Sequence, residues 1–328
     1  MKYGIYGLLL LTFAIFYSCK KIHLNSEGPD WDKVKSEVTP TVMFPNDYGT
    51  PYHLELNTLG WEDGQYITRD GLTMYCFYMP IDLLAFAFIG KTSDICAMGP
   101  YIRGPFAYIL NTPPPVLENS CNQFLNTVIL ISHRNSVNEP FPAWKVSNVS
   151  TPATINGAPQ VILNDSIPGL VDFFVFVHLN PDQEELGNLA IYKNTSLNPM
   201  GSFTKLPSPV NNPNYSEDNP HIERIAPNEL VLFFRSDDRP DGVGAEDIFY
   251  TQSHDNGNSW EPVQSVNFNT EGFEDMPHIW QDSTGIWWMY YMNAESNIVK
   301  RKQTIPNVWK NWDEEILVMD RGNALAVG

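Results

Sequence analysis

One hydrophobic phrase recurs four times along the chain. "WEDGQYITRDGLTMYCFY" starts at Trp61, "NGAPQVILNDSIPGLVDFFVF" at Asn156, "EDNPHIERIAPNELVLFF" at Glu217 and "EDMPHIWQDSTGIWWMYY" at Glu274. Each copy opens on small or acidic residues, runs through a short strand and a turn, and ends in a strand of aromatic and aliphatic residues. No stretch shows the 3.6-residue period of a long amphipathic helix. The third copy continues into "RSDDRPDGVGAEDIFYTQSHDNGNSWEPVQSV", which supplies a third strand, a tight hairpin and a fourth strand. Pro159 and Pro220 lie 61 residues apart and Pro220 and Pro277 lie 57 apart, the cadence of four-stranded propeller blades. The pattern predicts an all-β chain folded as a β-propeller. Five blades are favoured, with four or six open, because an insertion near residues 81–124 has room for a degenerate blade. "PYHLEL", before the first copy, is a candidate to pair with the last blade near "EEILVM" and close the ring.

The hairpin "SHDNGNSW" sets Ser253, Asp255, Gly257 and Trp260 at the spacing of the Asp-box turn, which sialidases and other propellers share. Its expected work is local. Ser253 and Asp255 bond the turn backbone, Gly257 supplies a positive φ, and Trp260 buries its ring beside the next blade. The unit "SEDNPHI…NELVLFFRSDDRPDGVGAEDIFYTQ" resembles the repeats of exported bacterial propellers of the WD40-like (PD40, TolB-like) kind. The resemblance spans most of residues 57–303. It implies a fold and leaves the chemistry open.

The N-terminus changes the domain picture. Lys2, an apolar run from Ile5 to Phe16, then Tyr17, Ser18 and Cys19 read as a lipoprotein export signal. The run is shorter than the roughly 20 residues needed to span a bilayer as a helix. Residues 1–18 are therefore read as a signal peptide, Cys19 as the lipidation site, 19–45 as a flexible tether and 46–328 as the propeller. The expected location is the bacterial envelope, at the outer membrane, as a monomer held by its N-terminal lipid. Of the remaining cysteines, Cys96 and Cys121 bracket one segment and leave their pairing open, while Cys76 reads as a buried core thiol. With 38 acidic against 20 basic residues and a formal net charge of −18, nucleic acid is excluded as a partner.

Candidate chemistry sits where each copy opens. Glu62-Asp63, Glu217-Asp218 and Glu274-Asp275 occupy the same phase in three blades, at the mouth of the central channel, while the second copy has Asn156-Gly157 there. Converging carboxylates can hold Ca²⁺ through oxygen ligands, or divide acid and base roles as in arabinanase-like glycosidases. As a hydrolase trio the sequence offers Asp63 as base, Glu274 as acid and Asp218 as orienting group. Glu62, Glu217, Asp275, His221, His278 and Arg235 are ligand-binding candidates at the same rim. The scaffold alternative has each acid bonding the turn backbone. A sialidase would need three converging arginines, for which Arg103, Arg235 and Arg239 are the candidates. The alternating aromatics of "WQDSTGIWWMYYM" read as packing between blades, with sugar stacking as the alternative. The repeats favour a non-catalytic binding or scaffold module for a glycan or an envelope protein. Its alternative is a glycoside hydrolase working through the mouth carboxylates.

Overall fold

The computed structural model describes residues 54–58, 60–81, 106, 127–150, 154–180 and 186–320. Among them sixteen strands form four sheets, each a four-stranded antiparallel meander in chain order. The first sheet holds β1 (Trp61–Ile67), β2 (Thr73–Met79), β3 (Val128–His133) and β4 (Lys145–Val146). The second holds β5 (Ile155–Leu163), β6 (Leu170–Leu179), β7 (Asn188–Ser196) and β8 (Thr204–Lys205). The third holds β9 (Glu217–Ala226), β10 (Glu229–Asp237), β11 (Glu246–Ser253) and β12 (Gln264–Ser265). The fourth holds β13 (Asp275–Gln281), β14 (Trp287–Met292), β15 (Ile298–Lys302) and β16 (Ile316–Met319). Each recurring phrase is thus the first hairpin of a blade, and its opening strand is the inner one. Successive inner strands touch, β1 against β5, β5 against β9 and β9 against β13.

Among the described residues this is an all-β propeller of four four-stranded blades, a number the sequence left open, and the favoured fifth is not found among them. The fifth rested on the insertion, and residues 82–105 and 107–126 lie outside the described set, as do Cys19, Cys96, Arg103 and Cys121. The described part of "PYHLEL", Leu54 to Leu56, is loop and turn, and β16 pairs within its own blade.

Strand alternation assigns the core. On β10, Val231 and Phe233 pack toward the fourth blade with Ile279, Met289 and Trp309, whereas Leu230, Leu232 and Phe234 pack toward the second with Val175, Leu189 and Ile191. On β6, Phe174 and Phe176 turn the other way and meet Tyr75 and Ile129 of the first blade. Cys76 is buried with Met74 and Tyr78 in the first blade's remaining face. In "WWMYYM", Trp287, Met289 and Tyr291 are buried, while Trp288, Tyr290 and Met292 are half-exposed.

The turn at 253–260 joins β11 to β12. Ser253 Oγ accepts from the Gly257 N–H (2.7 Å), and Asp255 accepts from the Asn258 and Ser259 N–H groups and the Ser259 hydroxyl. These bonds hold the exposed Asp255 carboxyl well below the usual range. Trp260 is buried between the second and third blades, and Lys193 of the second blade donates to the Gly257 carbonyl (2.6 Å).

All four inner strands carry the same irregularity. Pairing slips between Asp63 and Tyr66, Gly157 and Gln160, Asp218 and His221, and Asp275 and His278. The residue at the head of each bulge has a left-handed φ: +56° at Gly64, +44° at Ala158, +44° at Asn219 and +55° at Met276. The first is a glycine and the third an asparagine, which tolerate this region, so two blades hold a side chain, Ala158 and Met276, in a costly conformation.

Because Phe234 is fully buried between blades, Phe234→Ala should lower unfolding free energy by about 3–5 kcal/mol. Ile305→Ala, at an exposed site, should stay within about 0.5 kcal/mol, and urea melts of the two variants measure the contrast.

Candidate functional site

The bulges place the acidic pairs. Asp63 Oδ1 accepts from the Gly64 N–H, Asp218 Oδ1 from the Asn219 N–H and Asp275 Oδ1 from the Met276 N–H, each at 2.7 Å. Each aspartate therefore folds over the N–H at the head of its own bulge. In the second blade Gly157 holds this position for a steric reason, since a Cβ there would lie 2.8 Å from the Phe77 ring.

The inner strands bring the aspartates into one electrostatic neighbourhood. Asp275 raises the proton affinity of both Asp63 and Asp218, and Asn219 Nδ2 donates to Asp275 Oδ1 (2.7 Å). Arg235 on β10 binds Asp218 Oδ2 at 2.8 Å through one terminal nitrogen; the other reaches Glu246 Oε2 at 2.8 Å and Asp275 Oδ2 at 3.5 Å. Burial pushes the Asp218 carboxyl above its ordinary value while Arg235 pulls it back. Burial also raises Asp63, opposed by the Gly64 N–H and reinforced by Asp275. No cation among the described residues faces Asp63.

The neighbouring glutamates take other partners, as alternation along a strand requires. Glu62 accepts from the Thr58 N–H (2.8 Å). Glu274 has both oxygens engaged by Thr270, one by its N–H (2.9 Å) and one by its hydroxyl (2.6 Å). Glu217 is wholly buried against Arg239, and burial pushes its carboxyl up despite that partner. The structure thus gathers Asp63, Asp218 and Asp275 and does not bring Glu274 to them. Arg239 lies under Glu217, donating to Ser236 and the Val210 carbonyl among the rings of Tyr215, Phe234 and Phe249. Arg235 and Arg239 therefore do not form the convergent grip that a sialidase requires. Arg235, a ligand-binding candidate from the sequence, lies beside Asp218 because its register on β10 sets it opposite that residue.

Three residues along from the aspartates, past the bulges, lie Tyr66, Gln160, His221 and His278. The two histidine rings are 4.1 Å apart, and His221 Nδ1 meets Gln160 Oε1 at 3.1 Å. His221 is buried and its Nε2 has no partner. His278 is exposed on β13. Burial drives His221 well below its ordinary value, and desolvation by the surrounding protein together with the charge of Arg69 lowers His278 to about 4. At the far end Arg69 of the first blade binds Glu223 of the third, and Arg224 binds Asp172 of the second (2.6 Å). Strand register puts the turn at 253–260 near this end, because Ser253 pairs with Leu230 and Leu230 with Arg224.

Among the described residues no group of three or more His, Cys, Asp or Glu is placed to hold a metal ion. Two surface hollows, of about 370 Å³ beside Tyr215 and Asp241 and about 510 Å³ beside Asp165 and Asn228, lie away from the aspartates.

No protein-family model and no curated protein matches the chain. Solved structures similar to it include a thermostable family-43 glycoside hydrolase, 11% identical with a TM-score of 0.49, covering 82% of this chain and 77% of that one. Another is a Penicillium chrysogenum α-L-arabinanase complexed with arabinobiose, 11% identical, TM-score 0.46, covering 81% of this chain and 72% of that one. A Hadza microbial sialidase is 11% identical, TM-score 0.41, with 79% of this chain covered and only 46% of the sialidase. Likeness at this level concerns fold. The expectation of a non-catalytic binding or scaffold module is nevertheless corrected toward its alternative. Neighbours named as a glycoside hydrolase, an arabinanase and a sialidase share its fold, as does a Dyadobacter fermentans protein of unknown function, and in this chain the mouth aspartates, alike in capping their bulges, differ in their further partners.

Free chains protonate histidine near pH 6.5, whereas in the fold His278 stays neutral down to about 4 and His221 stays neutral below its ordinary value too. The unfolded state then binds more protons, so this contribution is complete above pH 6.5 and is lost as pH falls toward 4. The drop in melting temperature between pH 7 and pH 4.5 should accordingly be smaller in His278→Gln than in the native chain.

Proposed function

We propose that this chain is a glycoside hydrolase whose working carboxyls are Asp63, Asp218 and Asp275 at the channel mouth. The observation that carries this reading is the unlike partnering of repeat-equivalent aspartates: Arg235 holds Asp218, whereas half-buried Asp63 has the Gly64 N–H and the nearby charge of Asp275. Environments that separate two carboxyls in this way divide acid from base. Asp63 donates the proton to the leaving oxygen. Asp218, about a third exposed and bound by Arg235, which opposes the effect of burial, is the base toward water, and Asp275 with Asn219 orients the pair. Asp275 replaces Glu274 in the trio because Thr270 occupies both oxygens of Glu274. The strained heads of the bulges, Ala158 and Met276 above all, support the same location, since such conformations gather at working sites.

The PD40- and TolB-like cadence of the repeats belongs to this proposal as an account of the blades and not of the chemistry. So does export to the envelope with lipid on Cys19, which rests on the leader pattern of residues 1–19. Cells fed a labelled fatty acid should mark the native chain and leave Cys19→Ala unlabelled. Equal labelling of the two would remove the anchor.

The hydrolase is tested on a panel of plant and microbial glycans, reading reducing-end release together with binding. Asp63→Asn should lose about 10²- to 10⁴-fold in release while keeping binding and native far-UV circular dichroism. Release by the native chain that is undiminished in the variant would overturn the assignment of Asp63. No release from any glycan by the native chain would overturn the hydrolase itself.

A further inference from the structure

The four blades share their inner-strand geometry, so the residue that breaks the pattern is informative. Register places one β-partner opposite each aspartate position. It is Phe77 for Asp63, Val177 for Gly157, Met292 for Asp275, and Arg235 for Asp218. Three blades put an apolar side chain there, and one puts a guanidinium. A scaffold requirement of the repeat would be met alike in every blade. Arg235 answers a need of the mouth as a whole, because its partners come from three strands: Asp218 on β9, Glu246 on β11 and Asp275 on β13.

The guanidinium suits that task. It is planar and always charged, with its donors in a rigid fork that fixes the direction of a carboxylate as well as its charge. One terminal nitrogen takes Asp218 and the other spans Glu246 and Asp275. Asp218 is then held from both sides, by the Asn219 N–H on Oδ1 and by Arg235 on Oδ2. Asp63 receives the Gly64 N–H alone.

We infer that Arg235 is the positioning residue of the mouth: by clamping Asp218, Glu246 and Asp275 together it fixes their direction and leaves Asp63 as the carboxyl that carries the proton. The inference rests on the hydrolase reading for its chemical meaning, but the clamp can be tested without turnover. The charged groups around the two ends of the device are few. Asp218, Asp237, Glu246 and Asp275 face Arg235, whereas Asp275, Glu62 and the Cys76 thiol stand near Asp63.

The test uses the full chain labelled with [4-¹³C]aspartate and titrated by NMR, with the Asp63, Asp218 and Asp275 signals assigned through single Asp→Asn variants. In Arg235→Gln the midpoint of Asp218 should rise by about one to three pH units, while that of Asp63, which Arg235 does not bind, should stay in place. Arg235→Lys keeps the charge without the fork. It should restore most of the midpoint shift, yet leave glycan release well below the native rate if direction matters as well as charge. Should Arg235→Gln fail to fold, the Arg235→Lys titration and rate carry the test. A midpoint of Asp218 unmoved in Arg235→Gln, or native release by Arg235→Lys, would overturn the clamp. A native chain that releases nothing from any glycan, with the Asp218 midpoint shifted as expected, would leave the clamp standing and remove the hydrolase.

Discussion

The structure depends on a short hydrogen bond made once in each of three blades, from an aspartate carboxylate to the N–H of the next residue, at the head of an inner-strand bulge. A bulge takes one residue out of the ladder and leaves its N–H in need of a partner. The aspartate supplies it, and in doing so is fixed at the channel mouth. The bond that completes the strand also aims the carboxylate. Scaffold and site are therefore one arrangement, and an acid that caps a turn in the first description is a candidate catalyst in the second. The second blade shows what happens without the acid: Gly157 leaves room for the Phe77 ring of the neighbouring blade, and the mouth becomes lopsided.

That lopsidedness matters because equal carboxylates around a ring would only repel one another. Asp275 lies within reach of the charges of both Asp63 and Asp218. Placing Arg235 in one blade only divides the ring into a clamped side and an unclamped one. Below the bulges the surroundings change character, since His221, His278 and Gln160 meet with no carboxylate paired to the two histidines among the described residues, and desolvation lowers the proton affinity of both rings. Charge returns at the far end, where Arg69 reaches from the first blade to Glu223 of the third. The channel is thus acidic at one end, neutral in the middle and cross-braced at the other.

Much of the fold was legible because its periodicities are local. The alternation of Leu230, Leu232 and Phe234 against Val231 and Phe233 shows in the letters and is what the blades bury. The recurring Glu-Asp pairs were equally visible, but which acid of each pair faces the mouth was not. A period-two pattern assigns neighbours to opposite faces without saying which face is which, and the bulge shifts the phase just beyond the pair. Hence the sequence offered Glu274 where the trio we propose from the fold has Asp275. Arg235 was legible as a candidate at the rim, but its carboxylate partners were not, because "RSDDRP" reads as repeat in one dimension and as an exception only when its β-partner is known. The blade number was uncertain for a third reason, since the fifth blade had no copy of the phrase behind it.

Backbone strain gives an independent reason to place function at the mouth rather than at the turn of residues 253–260. That turn satisfies Ser253 and Asp255 locally, and its left-handed φ values fall on Asn256 and Gly257, residue types suited to them. The bulges put alanine and methionine in the same region of conformational space. A scaffold free to choose would place glycine or asparagine at such positions, as the first and third blades do. Ala158 and Met276 instead keep side chains at the head of the bulge, and Met276 remains partly exposed in the channel beside Asp275. A side chain retained at a conformational cost, next to a clamped carboxylate and open to water, is better explained by what enters the channel than by what holds the blades together.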